Sequence, residues 1–192
     1  WQIGLFPRYQ RSSAARQYVD TIDNGPEATF GKRYVFGRID RSTLSAQLRL
    51  SYGFTPDLSL EGYAEPFAAK GTYSEYGELP EPRSLDLRYY GTDGTTITES
   101  EGEAPHEITV TDGDDVFTFE RGDFSSLSFR TNLVLRWEWR PGSTLFLIWQ
   151  QNQGDFESVT DPGGARLSDW GDAITSPGDS FFALKLTYWL PI

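Results

Sequence analysis

From Leu127 to Trp139 apolar and polar residues alternate. Leu127, Phe129, Leu133, Leu135, Trp137 and Trp139 share one parity with Thr131, while Ser128, Arg130, Asn132, Arg136 and Glu138 take the other, with Val134 the one apolar intruder. Successive side chains of an extended chain point to opposite faces, so this pattern predicts a strand with one apolar and one polar face. The same period runs from Ser42 to Phe54, where Leu44, Ala46, Leu48, Leu50, Tyr52 and Phe54 oppose Thr43, Ser45, Gln47, Arg49 and Ser51. It returns where Phe182, Leu184, Leu186, Tyr188 and Leu190 oppose Ala183, Lys185, Thr187 and Trp189. Such runs of about 10–13 residues exceed the ~5–6 usual for strands of soluble domains and match the ~9–11 tilted residues that cross a bilayer. Weaker alternation predicts strands near 1–10, 14–22, 28–39, 57–66 and 143–153, and no amphipathic helix of convincing length stands out. The pattern reads as all-β: an antiparallel up-and-down transmembrane β-barrel of about eight long strands.

The connections sort by length. Arg140-Pro141-Gly142-Ser143 and Thr55-Pro56-Asp57 read as tight turns, Pro and Gly being the residues that set them. Segments 67–126 and 154–179 read as long loops, and the two strands between them bring both to one side. With eight strands, Asp23-Asn24-Gly25-Pro26 falls on the side of the tight turns, and a short hairpin at Asp40-Arg41 falls on the long-loop side. Short turns on one side and mostly long loops on the other is the outer-membrane pattern. Trp137, Trp139 and Trp149, Tyr52 and Phe54, and Tyr188 and Trp189 cluster towards strand ends, as aromatic girdles at membrane interfaces do.

Composition narrows the classes. Among 192 residues, Asp+Glu 28 against Lys+Arg 17 leave a net charge of −11, which argues against nucleic acid as a partner. Aromatics at 15% are too many for a disordered acidic chain. No run approaches the ~20 apolar residues of a membrane-spanning helix, but a barrel strand hides its apolar half in the alternation. Without cysteine there is no disulfide, thiolate metal site or thiol nucleophile. The chain contains no Met and opens on Trp1, so it reads as a mature product or a piece of a longer one.

Segment 71–126 holds fourteen acidic residues against Arg83, Arg88 and Arg121, so the whole net charge resides in one insertion. Within it, Ser84–Tyr90, Thr95–Thr98, Glu107–Thr111 and Val116–Phe119 read as short strands, with turns at Thr92-Asp93-Gly94 and Asp112-Gly113-Asp114. These predict β-hairpins beyond the barrel wall or folded over its mouth. Asp112-Gly113-Asp114-Asp115 offers carboxylates to a hard cation but lacks EF-hand spacing, and Asp-Gly is an ordinary hairpin turn. His106 is the one histidine, and nothing in its spacing nominates a serine or an acid for hydrolase chemistry. We expect no enzyme, no metal site and no cofactor.

The polar parities carry more information. Gln47 and Arg49, then Glu61, Tyr63 and Glu65, then Arg130, Asn132, Arg136 and Glu138 are candidate lumen-facing residues on three strands, able to pair across strands as charge ladders. They either fill and rigidify a narrow barrel or form a polar path or binding site.

Several segments also resemble a known family. Arg16-Gln17-Tyr18-Val19, Lys32-Arg33-Tyr34-Val35-Phe36 and Phe54-Thr55-Pro56-Asp57-Leu58-Ser59-Leu60 are followed by Asp123-Phe124 and by the run Asn132–Leu145, with its Leu135-Arg136-Trp137-Glu138-Trp139-Arg140-Pro141-Gly142-Ser143 core; Leu186-Thr187-Tyr188-Trp189-Leu190 comes last. Together these resemble the C-terminal part of an uncharacterised family of bacterial outer-membrane barrel proteins. Members of that family carry a family-9-like carbohydrate-binding module ahead of the barrel. The resemblance implies a bacterial outer-membrane location, lipid as a partner and a possible glycan or other small-molecule ligand, and it supplies no catalytic residues. Many such barrels end on an aromatic residue, whereas this chain ends Pro191-Ile192. The expected function is surface binding or passage of a solute. The alternative is a soluble antiparallel β-barrel or sandwich that binds a glycan or other small ligand.

Overall fold

The alternating runs form strands, but fewer and longer than their spacing suggests. The computed structural model describes residues 1–101, 104–159 and 161–190. Six long antiparallel strands make one sheet in the order β1 (Gln2–Asp23), β2 (Lys32–Thr55), β3 (Leu58–Glu78), β8 (Phe124–Arg140), β9 (Ser143–Ser158) and β10 (Gly178–Thr187). The short β4 (Arg88–Tyr89) also pairs with β3, and β5 (Thr95–Glu99), β6 (Glu107–Asp112) and β7 (Asp115–Glu120) form a second, three-stranded sheet. One α-helix, α1 (Ser168–Thr175), lies between β9 and β10 in the chain. The protein is therefore all-β and antiparallel, but the main sheet is open, with β1 and β10 as its edges.

Two pairs of expected strands are single strands. Segments 1–10 and 14–22 merge into β1, and 28–39 and 42–54 merge into β2 after a 3₁₀ turn at Glu27–Thr29. Asp40-Arg41 is no hairpin: Asp40 pairs with Ser13, Arg41 with Ser12 and Ser42 with Arg11. These polar residues break the alternation without bending the chain, because both faces of the strand become polar there. The eight expected strands become six, and the connection at 24–31 moves to the long-loop end. That end now carries 24–31, 79–123 and 159–177, while the other carries only the turns at 56–57 and 141–142. The loop expected at 67–126 shortens because β3 runs on to Glu78 and β8 begins at Phe124. The one expected at 154–179 contains α1, which had no visible signal of its own.

Register fixes the faces. Ile3, Leu50, Gly62, Leu133, Trp149 and Phe182 are successive partners across all six strands. The rows above and below continue the face, with Tyr9, Leu44, Ala68 and Leu127 in one and Tyr52, Leu60, Leu135, Leu147 and Leu184 in another. All three apolar parities seen in the sequence thus share one side of one sheet. Much of that side is bare: Leu5 is 62% exposed, Leu147 41% and Leu184 66%.

Buried packing lies elsewhere. Val35, Tyr76, Tyr90, Ile108, Val110, Phe117 and Phe119 form a core where the three-stranded sheet meets the long-loop ends of β2 and β3. Val35 shares the parity of Arg49, so this crown covers β2 on its polar side. On the apolar side α1 packs against β3 and β8, above the small, buried Ala46 and Ala68.

The 24–31 connection is tight in spite of its length. Gly25 N donates to Gly31 O at 2.9 Å, and Thr29 Oγ1 bonds Pro26 O at 3.0 Å. A Cβ on Gly25 would lie 2.1 Å from the Lys32 carbonyl carbon, a backbone atom that has no room to yield. Gly25→Ala is therefore expected to lower the stability of the β1–β2 pair by about 1–3 kcal/mol, the usual cost of overpacking, measured as the shift in a urea unfolding midpoint.

Candidate functional site

The nine polar residues nominated from the sequence all lie on the face opposite the apolar rows. Arg49, Tyr63 and Asn132 are direct partners across β2, β3 and β8, and Glu65 pairs with Arg130. Glu61 is the neighbour of Ser51 and Val134, and Gln47 stands two residues along β2 from Arg49. The set divides in two. Arg136 bonds Glu138 at 2.8 Å, and the other Glu138 oxygen accepts from Gly142 N at 3.1 Å, so this pair holds the tight turn at 141–142. The remainder form a mid-strand patch, with the Tyr63 hydroxyl donating to Glu65 and the Arg49 guanidinium 5.9 Å from the Tyr63 ring centroid.

Sequence reasoning missed two members of this patch. Gln150 is the next partner of Asn132, and Asn152 that of Arg130. With Tyr63 they border an open depression of about 530 Å³. A signal was present in the parity of β9, but the run Gln150-Gln151-Asn152-Gln153 is polar on both parities and hides it. Asn132 Oδ1 is buried without a hydrogen-bond partner among the described residues. Amides, two guanidiniums, carboxylates and a phenol can hydrogen-bond a polar solute in several orientations.

The crown sets the long-loop end of this face. Arg33 and Glu78, 4% and 1% exposed, meet at 2.9 Å, and Arg33 also reaches Asp112 at 3.2 Å and Asp115 at 3.3 Å. Arg88 grips both Asp112 oxygens at 2.7 and 2.8 Å, and the Arg33 guanidinium stacks 4.5 Å from the Phe117 ring centroid. The Asp112–Asp115 turn is thus held by arginines, and no group of three or more metal-ligating side chains occurs among the described residues. A second knot forms at Asp123, 1% exposed. Its carboxylate accepts from Tyr73 N at 2.6 Å, Arg121 Nε at 2.9 Å and Asp161 N at 3.1 Å. Arg121 in turn holds Glu99, whose Oε1 is 2.8 Å from His106 Nδ1. Of the four short strands expected in the insertion, the last three form, while the first shrinks to Arg88–Tyr89.

Hydrogen bonding to Arg88 holds the Asp112 carboxyl below the usual carboxylate range, and hydrogen bonding to Arg121 does the same for Glu99. Burial and the neighbouring Glu78 push the Tyr90 phenol upward.

No family model, curated protein or solved structure matches this chain.

Two outcomes follow from the crown. Glu78→Gln removes the most buried of the three carboxylates around Arg33, leaving Asp112 and Asp115, and is expected to cost about 1.5–3 kcal/mol, the range for a hydrogen bond to a charged group, read as lost amide-exchange protection at Ile108 and Val110. Acid should act in the same place. Carboxyls with lowered values stabilise fully above their ordinary pKa of about 4 and lose that contribution as pH falls through the lowered values. Crown amides are therefore expected to lose protection on acidification below about pH 4 before those of Leu133 and Leu135 do, measured by exchange across a pH series.

Proposed function

We propose that the six strands are the wall of a bacterial outer-membrane β-barrel, with the apolar face towards lipid and the polar face towards an aqueous interior. The protein would act there in surface binding or passage of a solute. One observation carries this reading: a continuous, largely uncovered apolar band that crosses every strand of the main sheet on one side. Its dimensions suit a membrane. On β9 it ends at Trp149, since Gln151 and Gln153 take the same side, but on β8 it extends over eleven residues from Leu127 to Trp137, ten steps of ~3.3 Å or about 33 Å. At a strand tilt of about 40° that spans roughly 25 Å, the height of the lipid-facing band in such barrels. Tyr52, Phe54 and Trp137 sit towards the tight-turn limit of the band and Tyr9 at the other. The separation of tight turns from long connections supports the same orientation.

Lipid imposes one requirement. Backbone groups cannot stay unpaired in hydrocarbon, so in a membrane the edges of β1 and β10 must pair, with each other, with further strands or with another copy. The polar patch of Arg49, Tyr63, Arg130, Asn132, Gln150 and Asn152 is our candidate for the solute path or binding surface. A glycan ligand is suggested only by the family resemblance. We propose no catalytic role. The soluble reading has one observation in its favour: α1 already covers part of the apolar face over Ala46 and Ala68, as the first piece of a core would.

Neighbouring residues on opposite faces separate the two readings. In lipid vesicles Leu133→Arg is expected to cost about 2–4 kcal/mol, as at a bilayer midplane, and to abolish the heat-modifiable folded band on SDS gels, whereas Asn132→Arg should leave it. A monomeric β-rich protein in plain buffer, folding without detergent or lipid, would sink the membrane reading.

A further inference from the structure

α1 and the residues just before it are pinned to the apolar side of the sheet by three polar contacts, and a fourth braces Asp169 from within the segment. Asp169, buried, receives Lys70 Nζ at 2.9 Å and, through its other oxygen, Arg166 N at 2.7 Å. Trp170 Nε1 donates to Leu44 O at 3.3 Å, and just upstream Ala165 N donates to Ser42 Oγ at 2.8 Å. Ala173, fully buried, follows Asp169 by one turn on the inner side. Beneath them Ala46 and Ala68 are small enough to let the helix lie close.

The outer side of the helix carries one apolar line, flanked by the exposed polar residues Ser168, Asp172 and Thr175. Leu167 is 69% exposed and Ile174 47%, and their spacing of seven residues, two turns, puts them on one line. Between them Gly171 has nothing within 4 Å of where a Cβ would stand, so no side chain interrupts that line. Arg166, exposed, begins the segment. The level also matters. Leu44 and Ala68 belong to the row of Tyr9 and Leu127, the long-loop limit of the apolar band. A helix of eight residues is marginal in water by itself. Here the sheet holds it folded, with its apolar line turned away from the wall.

We infer that α1 is an interfacial membrane anchor, its Leu167–Ile174 line set into the headgroup–acyl boundary of the leaflet nearest the long loops. The inference rests on the barrel reading, which makes the apolar face the lipid face. A helix with an apolar line towards the lipid, polar residues such as Ser168, Asp172 and Thr175 flanking it and a basic residue at its start is the kind that lies in this boundary, about 5–10 Å deep. It is already folded and fixed to β2 and β3, so insertion costs it little ordering. The anchor would fix the depth of the wall at the one level where the band gives way to polar strand.

The absence of native cysteine allows single-cysteine labelling with an environment-sensitive fluorophore. Leu167→Cys and Ile174→Cys are the test positions, Leu147→Cys marks the band, and Val116→Cys, in the exposed part of the crown, marks solvent. The labelled barrels are reconstituted in phosphatidylcholine vesicles brominated at shallow or deep acyl positions. Leu147→Cys should be quenched best by deep bromine. Leu167→Cys and Ile174→Cys should be quenched best by shallow bromine, at least about twofold more than Val116→Cys, as a boundary depth requires. Test positions no more quenched than Val116→Cys, with Leu147→Cys still quenched, would overturn the anchor and leave the barrel standing. A concentration-dependent blue shift at 167 and 174 that bromine does not touch would overturn it in favour of a second copy. Loss of quenching at Leu147→Cys as well would sink the barrel reading and the anchor with it.

Discussion

Everything in this molecule depends on the register of five backbone ladders. A slip of one residue anywhere between β1 and β10 would turn the apolar members of one strand to the polar side of its neighbour. Local devices hold the register. Gly142, at φ 77°, makes the tight β8–β9 turn, the Trp149 and Phe182 rings stack across β9 and β10 at 6.1 Å, and bulges on β1 absorb the extra residues beside Gly37 and Val35. The contrast between faces adds to these, since a slipped strand would bring leucines beside Arg49 and Asn132.

Wall and crown are stabilised by different physics. The wall is a single layer for much of its length, so its apolar side chains gain little from burial against protein. The crown has its own aromatic core, where Tyr76 meets Phe119 and Tyr90 meets Phe117 edge to face. It is closed by charges that are mostly out of water. Buried ion pairs contribute little net stability compared with apolar packing of the same shape, but losing one partner is costly. The Arg33–Glu78–Asp112–Arg88 group therefore defines where the hairpins dock more than it raises overall stability.

Much of the wall was legible in the sequence, because a period of two is hard to produce in any other way over ten residues. The Leu127–Trp139 and Ser42–Phe54 runs gave faces that the register later aligned. What failed was the counting. Arg11-Ser12-Ser13 fell between two expected strands and Asp40-Arg41 read as a hairpin, because both are polar, yet they pair with one another in mid-strand. Alternation reports the environment of a strand, not its continuity, and it vanishes where both faces are polar. α1 was invisible for another reason: eight residues with one exposed large apolar side chain, Ile174, give no signal without the sheet beneath. Of the polar patch, Arg49, Tyr63 and Asn132 could be named from parity, but their meeting in one row needed the register. Gln150 and Asn152 were masked by the amides between and beside them.

The two edges of the main sheet are unequal. β1 offers 22 residues of ladder and β10 only 10. The two run in opposite directions, and across the sheet Gln2 stands level with Ala183, so a pairing of β1 with β10 at that level would use the lower part of β1 and leave the stretch towards Asp23 without a neighbour on that side. Above the apolar band such a wall would have a slot, floored by the last shared ladder bond and bordered by the uncovered amides of β1. A ring of equal strands can be entered only from its ends. A wall with one short stave can also be entered from the flank.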